Sequence, residues 1–397
     1  MTRIAPAWLA APQTRAVLAA LAPARPLFVG GCVRDALMGI EAADVDLCVT
    51  SPPETTLRLL EAAGLGAVPT GIAHGTVTAV AEGRGFEVTT LRRDVETDGR
   101  RARVAFTTAI EDDAARRDFT VNALYADAGG QVIDPLGGLP DLAAGRVRFV
   151  GDPAARIAED YLRILRFFRF SARLSRTGLD PAGLAACAAG AGGIASLSRE
   201  RVGHEMKRLL GTADPAEAVE AMAASGVLSA VAPWAGAAGL APLVAIEARS
   251  GVPADWPRRL AAIAIGDAVT AWRLSRAEAR RLTAIEAATE AAMAADLPPA
   301  GLGHLFGVPA ATDALLLRAS QGLAALPDDF AAEIARGAEA GFPLSAADLL
   351  AAGVPRGPDL GRLLITLRRK GAVEGCRADR AGLLARLADQ TSGGSTS

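Results

Sequence analysis

Gly30-Gly31-Cys32-Val33-Arg34-Asp35, followed after residues 36–43 by Asp44-Val45-Asp46, is the stretch that decides the fold. Leu27–Val29 before it is a short apolar run, read as a strand, and Val33–Met38 reads as a helix. A glycine pair between a strand and a helix lets backbone amides approach phosphates closely. Arg34 stands one helical turn in, where a guanidinium could clamp a triphosphate. Val45–Val49 reads as a second strand. Alternate strand residues share a face, so Asp44 and Asp46 are expected to point into one cleft while Val45 packs behind. Adjacent carboxylates repel unless a cation sits between them, and Mg²⁺ suits oxygen ligands with room for water and phosphate oxygens. Taken alone, an Asp-x-Asp is equally a surface turn, and the glycine pair a tight turn, since GxGxxG is absent.

The pattern extends outward. Pro53–Ala63 reads as a helix with Ser51 as a possible cap. Thr76–Ala81 and Phe86–Leu91 are β-rich runs around the hairpin signal Glu82-Gly83-Arg84-Gly85. Glu87, on the second run, is either a third carboxylate for the metal or an exposed strand residue. Weaker strands are expected near Val104, Leu124, Val132 and Val147. After Asp152-Pro153 the composition turns helical and rich in Ala and Leu, punctuated by turn signals such as Asp180-Pro181, Gly192-Gly193 and Pro298-Pro299.

The bulk properties set limits. A chain of 397 residues is too long for one compact core. Its formal net charge of −2 excludes a general polyanion binder, so any nucleic-acid contact must come from local Arg and Lys clusters. Cys32, Cys48, Cys187 and Cys376 are scattered, which argues for reduced thiols in the cytoplasm rather than disulfides or zinc. Met1–Leu21 is not read as a signal peptide. Apolar stretches of membrane-spanning length are interrupted by charge or proline, so no membrane partner is expected.

One basic segment stands out. Arg156–Arg176 carries six Arg against Glu159 and Asp160, a local charge of +4. If Glu159–Arg176 is one helix, Arg163, Arg166, Arg169, Arg173 and Arg176 form a broad stripe. Its plain reading is a solvated face with Glu159–Arg163 as an i,i+4 pair. A chemical reading is also open. Cytosine and adenine each show an amino donor beside a ring-nitrogen acceptor, whereas uracil and guanine show the reverse. Asp160 as acceptor beside Arg163 as donor could therefore take C and A and refuse U and G. Each mismatch strands buried polar groups at about 1–3 kcal/mol apiece.

These residues resemble the DNA polymerase β-like nucleotidyltransferase superfamily, and within it the class II tRNA nucleotidyltransferase and poly(A) polymerase family. Four ordered blocks carry the resemblance: Gly30–Asp35 with Asp44 and Asp46; Arg116-Arg117-Asp118-Phe119-Thr120-Val121-Asn122-Ala123-Leu124; Glu159-Asp160-Tyr161-Leu162-Arg163 continuing to Arg166 and Arg169; and Arg199-Glu200-Arg201 through Glu205 and Lys207. It is firm from about residue 27 to 210 and returns in the Gly- and Pro-bearing stretch Asp348–Leu364.

The resemblance implies an α+β fold: a nucleotidyltransferase head with a small mixed sheet (1–150), then an all-helical neck (151–215), body (216–335) and tRNA-binding tail (336–397), with Ser392–Ser397 disordered. It implies catalytic, metal-holding Asp44 and Asp46. It implies nucleotide contacts at Gly30, Gly31, Arg34, Arg116, Arg117, Asp118, Asn122, Arg166 and Arg169, and base selection at Glu159, Asp160 and Arg163. An Asp on the ribose hydroxyls would favour ribonucleotides. The implied cofactor is Mg²⁺, the substrates CTP and ATP, and the partner the acceptor arm and 3′ end of tRNA.

Gly71-Ile72-Ala73-His74-Gly75-Thr76-Val77-Thr78 lacks the basic-basic-Phe signature of the family's poly(A) polymerases and resembles CCA-adding enzymes. Arg92–Arg103, with Asp98, Gly99, Arg100 and Arg101, is expected to be the mobile polar loop that enzymes adding only CC lack. His74, His204 and His304 lack partner spacing for metal or triad chemistry. Template-independent addition of C, C and A is therefore expected. The alternatives are a poly(A) polymerase or partial (CC- or A-adding) enzyme, and a non-catalytic RNA-binding protein on this fold.

Overall fold

The computed structural model describes residues 2–98, 101–263, 267–294 and 297–384. The chain divides into two compact units, residues 1–209 with 217–231 and residues 210–216 with 232–397.

The first unit opens with helices α1 (Ala7–Ala10) and α2 (Pro12–Ala20). There follow β1 (Leu27–Val29), α3 (Gly31–Leu37), β2 (Asp46–Val49), α4 (Pro53–Ala62), β3 (Gly66–Gly71), β4 (Thr76–Ala81), β5 (Arg84–Thr90), β6 (Arg92–Asp98), β7 (Arg101–Phe106), α5 (Ile110–Ala115), β8 (Tyr125–Ala126), β9 (Val132–Ile133) and α6 (Gly138–Ala143). Among the described residues the main sheet has seven strands in the order β3-β4-β5-β2-β1-β8-β9. It is mixed: β2 and β5 run parallel, and the other pairs are antiparallel. The expected α+β head is present.

Alternation builds this sheet. Val77, Ala79 and Ala81 of β4 and Phe86 and Val88 of β5 face one core with Val17, Leu60 and Leu124. The intervening Glu87 and Thr89 therefore face the other side. Ala81 pairs with Arg84, so Glu82 and Gly83 form a two-residue hairpin loop, both with positive φ as a type I′ turn requires.

Several expectations needed correction. Asp44 lies in a bend before β2, which begins at Asp46, so only one of the two aspartates is on the strand. Ser51 does not cap α4; Pro52 takes that position, and the Ser51 hydroxyl meets that of Thr56 at 2.9 Å. Val147 lies outside any strand, next to an isolated bridge between Phe119 and Phe149. The segment read as a polar loop forms an antiparallel ribbon of β6 and β7 over its described residues. Gly99, Arg100 and Ser392–Ser397 lie outside the described residues.

The helices of this unit continue with α7 (Pro153–Glu159), α8 (Leu162–Leu174), α9 (Pro181–Gly190) and α10 (Arg199–Leu210), and are completed by α11 (Ala216–Ala224) and α12 (Val227–Val231). Asp152 caps α7, its carboxylate accepting from the Ala155 amide at 2.7 Å. The expected single helix over Glu159–Arg176 is broken, because Asp160 is extended (φ −156°, ψ 106°) and α8 restarts at Leu162 and stops at Leu174. A Cβ on Gly193 would fall 2.0–2.4 Å from three Tyr161 ring carbons, so the break is seated on a surface only glycine can offer. The rings of Phe119, Phe149, Phe167 and Phe170, with centroids 4.9–6.3 Å apart, pack α8 against the head.

The second unit contains α13 (Leu240–Ser250), α14 (Trp256–Ile263), α15 (Ala268–Ala271), α16 (Arg276–Ala294), α17 (Pro299–Ser320), α18 (Phe330–Glu339), α19 (Ala346–Ala351) and α20 (Pro358–Val373). By length and composition α17 could cross a membrane, but Gly307 and Pro309 kink it and Ala311, Ala314 and Leu316 are fully buried in the unit's core. A charged cluster also lies inside. Glu247, 2% exposed, takes Arg258 at 2.7 Å and Arg259 at 2.8 Å, and Arg259 donates to the carbonyls of Leu210 and Ala213.

Candidate active site

A cleft of about 540 Å³ opens in the first unit where β1 ends, β2 begins and α8 passes. Three carboxylates stand on one side. The parallel register pairs Asp46 with Glu87, and Asp44 precedes the strand, so all three line the cleft. Burial pushes the Asp46 carboxyl up to about 6, and the charges of Glu87 and Asp44 push the same way. Arg117 opposes them without cancelling them.

The glycine turn forms the next stretch. Gly30 has a φ of 74°, and a Cβ there would stand 3.3 Å from Arg117 Nη1. That shape admits glycine and leaves the backbone bare beside a guanidinium. Arg34 is only 4% exposed; it pairs with Asp35 at 2.7 Å and donates to Asn122 Oδ1 at 2.5 Å. Burial lowers its pKa despite Asp35.

Arg116, Arg117, Asp118 and Asn122 also line the cleft. Asp118 accepts from the Phe119 amide at 2.9 Å, Asn122 Nδ2 at 3.0 Å and Arg166 Nε at 2.7 Å. Burial would raise its carboxyl, but the Arg166 charge and these hydrogen bonds hold it below the usual range. Arg166, Arg169 and Arg173 reach in from α8, and each is tied to a carboxylate: Asp118 for Arg166, Glu205 at 2.6 Å for Arg169, and Asp35 at 2.9 Å for Arg173. Phe170 lies beneath the guanidiniums of Arg34, Arg166 and Arg169 at 5.1, 5.3 and 4.2 Å. Burial lowers Arg169 to about 10, with Glu205 working against that shift.

The sequence-predicted residues therefore divide. Gly30, Gly31, Arg34, Asp44, Asp46, Glu87, Arg116, Arg117, Asp118, Asn122, Arg166 and Arg169 meet around one cavity. Glu159, Asp160 and Arg163 are not among its lining residues. Arg163 pairs with Glu159 as its i,i+4 partner, and Asp160 pairs with Arg201 at 2.7 Å while accepting from the Leu162 amide at 3.1 Å. Arg176 falls past the end of α8, so the expected stripe is a row of separately paired arginines. His74 sits in a short turn, and its carbonyl accepts from Arg92.

Sequence reasoning missed Asp113, Tyr125, Phe170 and Arg208. Asp113 alone had a local signal, since it lies three and four residues before Arg116 and Arg117 on a helix.

The carboxylate side has the donor chemistry of a hard-cation site. Among the described residues no three His, Cys, Asp or Glu side chains form a closed ligand cluster. Mg²⁺ tolerates that, because it keeps waters and shares substrate phosphates rather than requiring a protein cage. The raised Asp46 is the mark of negative charge that a cation would neutralise. An anion-accepting side built of arginines and bare backbone faces a cation-accepting side of carboxylates, the division a nucleoside triphosphate with its metal needs.

Residues 27–148 match the poly A polymerase head domain family. A human relative, CCA tRNA nucleotidyltransferase 1, mitochondrial, is 45% identical over 184 residues, 46% of this chain and 42% of the relative. The CCA-adding enzyme of Streptococcus gordonii is 43% identical over 203 residues, 51% of this chain and 50% of the relative. The chain thus spans about half the length of these curated relatives. Among solved structures, the Bacillus stearothermophilus CCA-adding enzyme in complex with CTP superposes with a TM-score of 0.74 at 27% identity, over 96% of this chain and 97% of that one. The Thermotoga maritima CCA-adding enzyme complexed with tRNA shares the fold, with a TM-score of 0.69 at 18% identity over 98% of this chain and 100% of that one.

Proposed function

We propose that this chain, whose residues 27–148 match the poly A polymerase head domain family, adds C, C and A to the 3′ end of tRNA without a nucleic-acid template. The substrates are CTP and ATP, and the product is pyrophosphate. The observation that carries the reading is the single cleft in which Asp44, Asp46 and Glu87 face Gly30, Arg34 and Arg117.

The RNA 3′ hydroxyl attacks the α-phosphorus of the bound nucleotide, and the bond to the β-phosphate oxygen breaks. The bare backbone at Gly30 and Gly31 and the guanidiniums of Arg34, Arg116 and Arg117 hold the phosphates as negative charge moves to the leaving group. Asp118, oriented by Asn122 and Arg166, offers its carboxylate to ribose hydroxyls. Arg166 and Arg169 contact the nucleotide from α8. Asp44 and Asp46, with Glu87 beside them, would hold Mg²⁺, and a cation there would supply acidification of the attacking hydroxyl and neutralisation of phosphate charge. Asp160 and Arg163 select the base by their acceptor and donor edges, which requires the Asp160–Arg201 pair to open while the Glu159–Arg163 pair stays closed. Glu159 supports Arg163.

We divide the chain into a head (1–150), a neck (151–215), a body (216–335) and a tail (336–397), the body and tail holding the acceptor arm through phosphate contacts, so binding weakens with salt. We place the enzyme in the cytoplasm; its relatives include bacterial enzymes and vertebrate ones named mitochondrial.

The test is primer extension with Mg²⁺ on tRNA transcripts ending before CCA, after C and after CC, each given single labelled nucleotides and then all four. Two C additions and one A, lost in Asp44→Ala, are expected. Long A tails would make it a poly(A) polymerase, and addition stopping after CC, or of A alone, a partial enzyme. tRNA binding without incorporation would leave an RNA-binding protein.

A further inference from the structure

We propose that Asp113 is a positioning residue for the nucleotide: it is not among the residues lining the cleft, and it fixes the two arginines that are. The inference rests on the nucleotidyl-transfer reading. Asp113, on α5, is 1% exposed. Its Oδ1 accepts from Arg116 Nε at 2.8 Å and lies 2.7 Å from Arg116 Nη2. Its Oδ2 accepts from Arg117 Nη2 at 2.9 Å and from the Tyr125 hydroxyl at 2.8 Å. One buried carboxylate thus holds two guanidiniums by their inner edges. Burial would raise it, but the charges of Arg117 and then Arg116, with the Tyr125 hydrogen bond, hold it below the ordinary range.

Tyr125 completes the clamp. Its hydroxyl donates to Asp113 and accepts from Arg117 Nε at 3.2 Å, and its ring lies 5.4 Å from the Arg117 guanidinium. Both inner nitrogens of Arg117 are therefore engaged, and Nη1 is the one that faces the Gly30 turn. The same guanidinium lines the cleft that Asp46 and Glu87 also line. Arg117 thus stands between the glycine turn and the carboxylate side, and Asp113 sets where.

α5 is itself anchored from the neck. Arg156 Nη1 donates to the Ala115 carbonyl at 2.9 Å, and Arg163 Nη2 to the Arg116 carbonyl at 3.2 Å, at the helix's C-terminal end. The helix that carries the clamp is held by the residue assigned to base selection. An Asn at 113 keeps the shape but turns an amide N–H toward guanidinium N–H groups, so the arginines would leave their present positions.

The experiment measures equilibrium binding of CTP with Mg²⁺ by titration calorimetry, beside steady-state addition, for the full chain and for Asp113→Asn and Tyr125→Phe. Asp113→Asn is expected to weaken CTP binding and raise KM about tenfold, with kcat within about threefold of the parent. Tyr125→Phe is expected to move the same quantities about two- to fivefold. A purely structural role would lower the melting temperature and leave the Kd of the folded protein unchanged. A Kd within twofold of the parent in a folded Asp113→Asn, or a loss confined to kcat, overturns the proposal. If Asp113→Asn does not fold, Tyr125→Phe decides, and an unchanged Kd there overturns it. Parent protein that binds CTP but adds nothing to RNA would sink the transfer reading while the binding comparison still judged the clamp.

Discussion

Replacing Asp46 by Asn should stabilise the metal-free protein at pH 8 while abolishing nucleotide addition. The Asp46 carboxyl is raised from 3.8 to about 6, chiefly by burial and then by Glu87 and Asp44. A native-state carboxyl that holds its proton more tightly than the unfolded chain makes the native state bind more protons between pH 4 and 6. Stability therefore falls as pH rises through that window, and the penalty is complete above about pH 6. A shift of about two units corresponds to roughly 3 kcal/mol, and solvent at the partly open cleft reduces it to about 1–3 kcal/mol. Asn carries no charge and escapes the penalty.

The assay is thermal unfolding in EDTA at pH 8 and pH 4. At about 2–4 °C per kcal/mol for a unit of this size, the variant should melt roughly 2–12 °C above the parent at pH 8. Near pH 4, where the parent's Asp46 is protonated, the two should nearly coincide. Adding Mg²⁺ at pH 8 should raise the parent and leave the variant almost unmoved, since a cation that binds only the native state stabilises by mass action. A variant no more stable than the parent at pH 8, or equally more stable at both pH values, would refute the account of Asp46 as destabilised by burial of its charge beside Glu87 and Asp44.

Two further outcomes test the surroundings. Gly193→Ala should displace the Tyr161 ring, and with it the extended Asp160, raising misincorporation of UTP and GTP relative to CTP and ATP by about tenfold at little cost in tRNA binding; an unchanged ratio in folded protein would separate the Tyr161 seat from base selection. Glu247→Gln should destabilise the second unit by about 3–5 kcal/mol in denaturant unfolding, because Arg259 is left with uncompensated buried charge while Arg258 keeps only the Asp313 carboxylate; a loss under about 1 kcal/mol would mean that the carbonyls of Leu210 and Ala213 suffice for Arg259.

The carboxylate and glycine sides were legible in the sequence because local rules place them. Strand alternation puts Glu87 opposite the buried Phe86 and Val88, and a glycine pair before a helix needs no distant partner to be recognised. β3 escaped reading because it is an edge strand with Pro69 and little burial, where neither alternation nor β propensity is required. The break at Asp160 escaped for a different reason. No Gly or Pro marks it; Tyr161 beside it sits against Gly193, 32 residues further along the chain.

The arginines of α8 show the same limit. Their spacing announces a helix face, but what each does depends on Asp35, Asp118 and Glu205, carboxylates from three other segments. A sequence stripe of like charge reads as one surface, whereas the fold divides it into separately compensated groups around a single cleft. Asp113 makes the point most sharply. Inside Glu111-Asp112-Asp113 it resembles the solvated acidic start of a short helix. Its spacing to Arg116 and Arg117 was legible, but only the fold buries it and supplies Tyr125 as the further donor that completes one carboxylate's hold on two arginines.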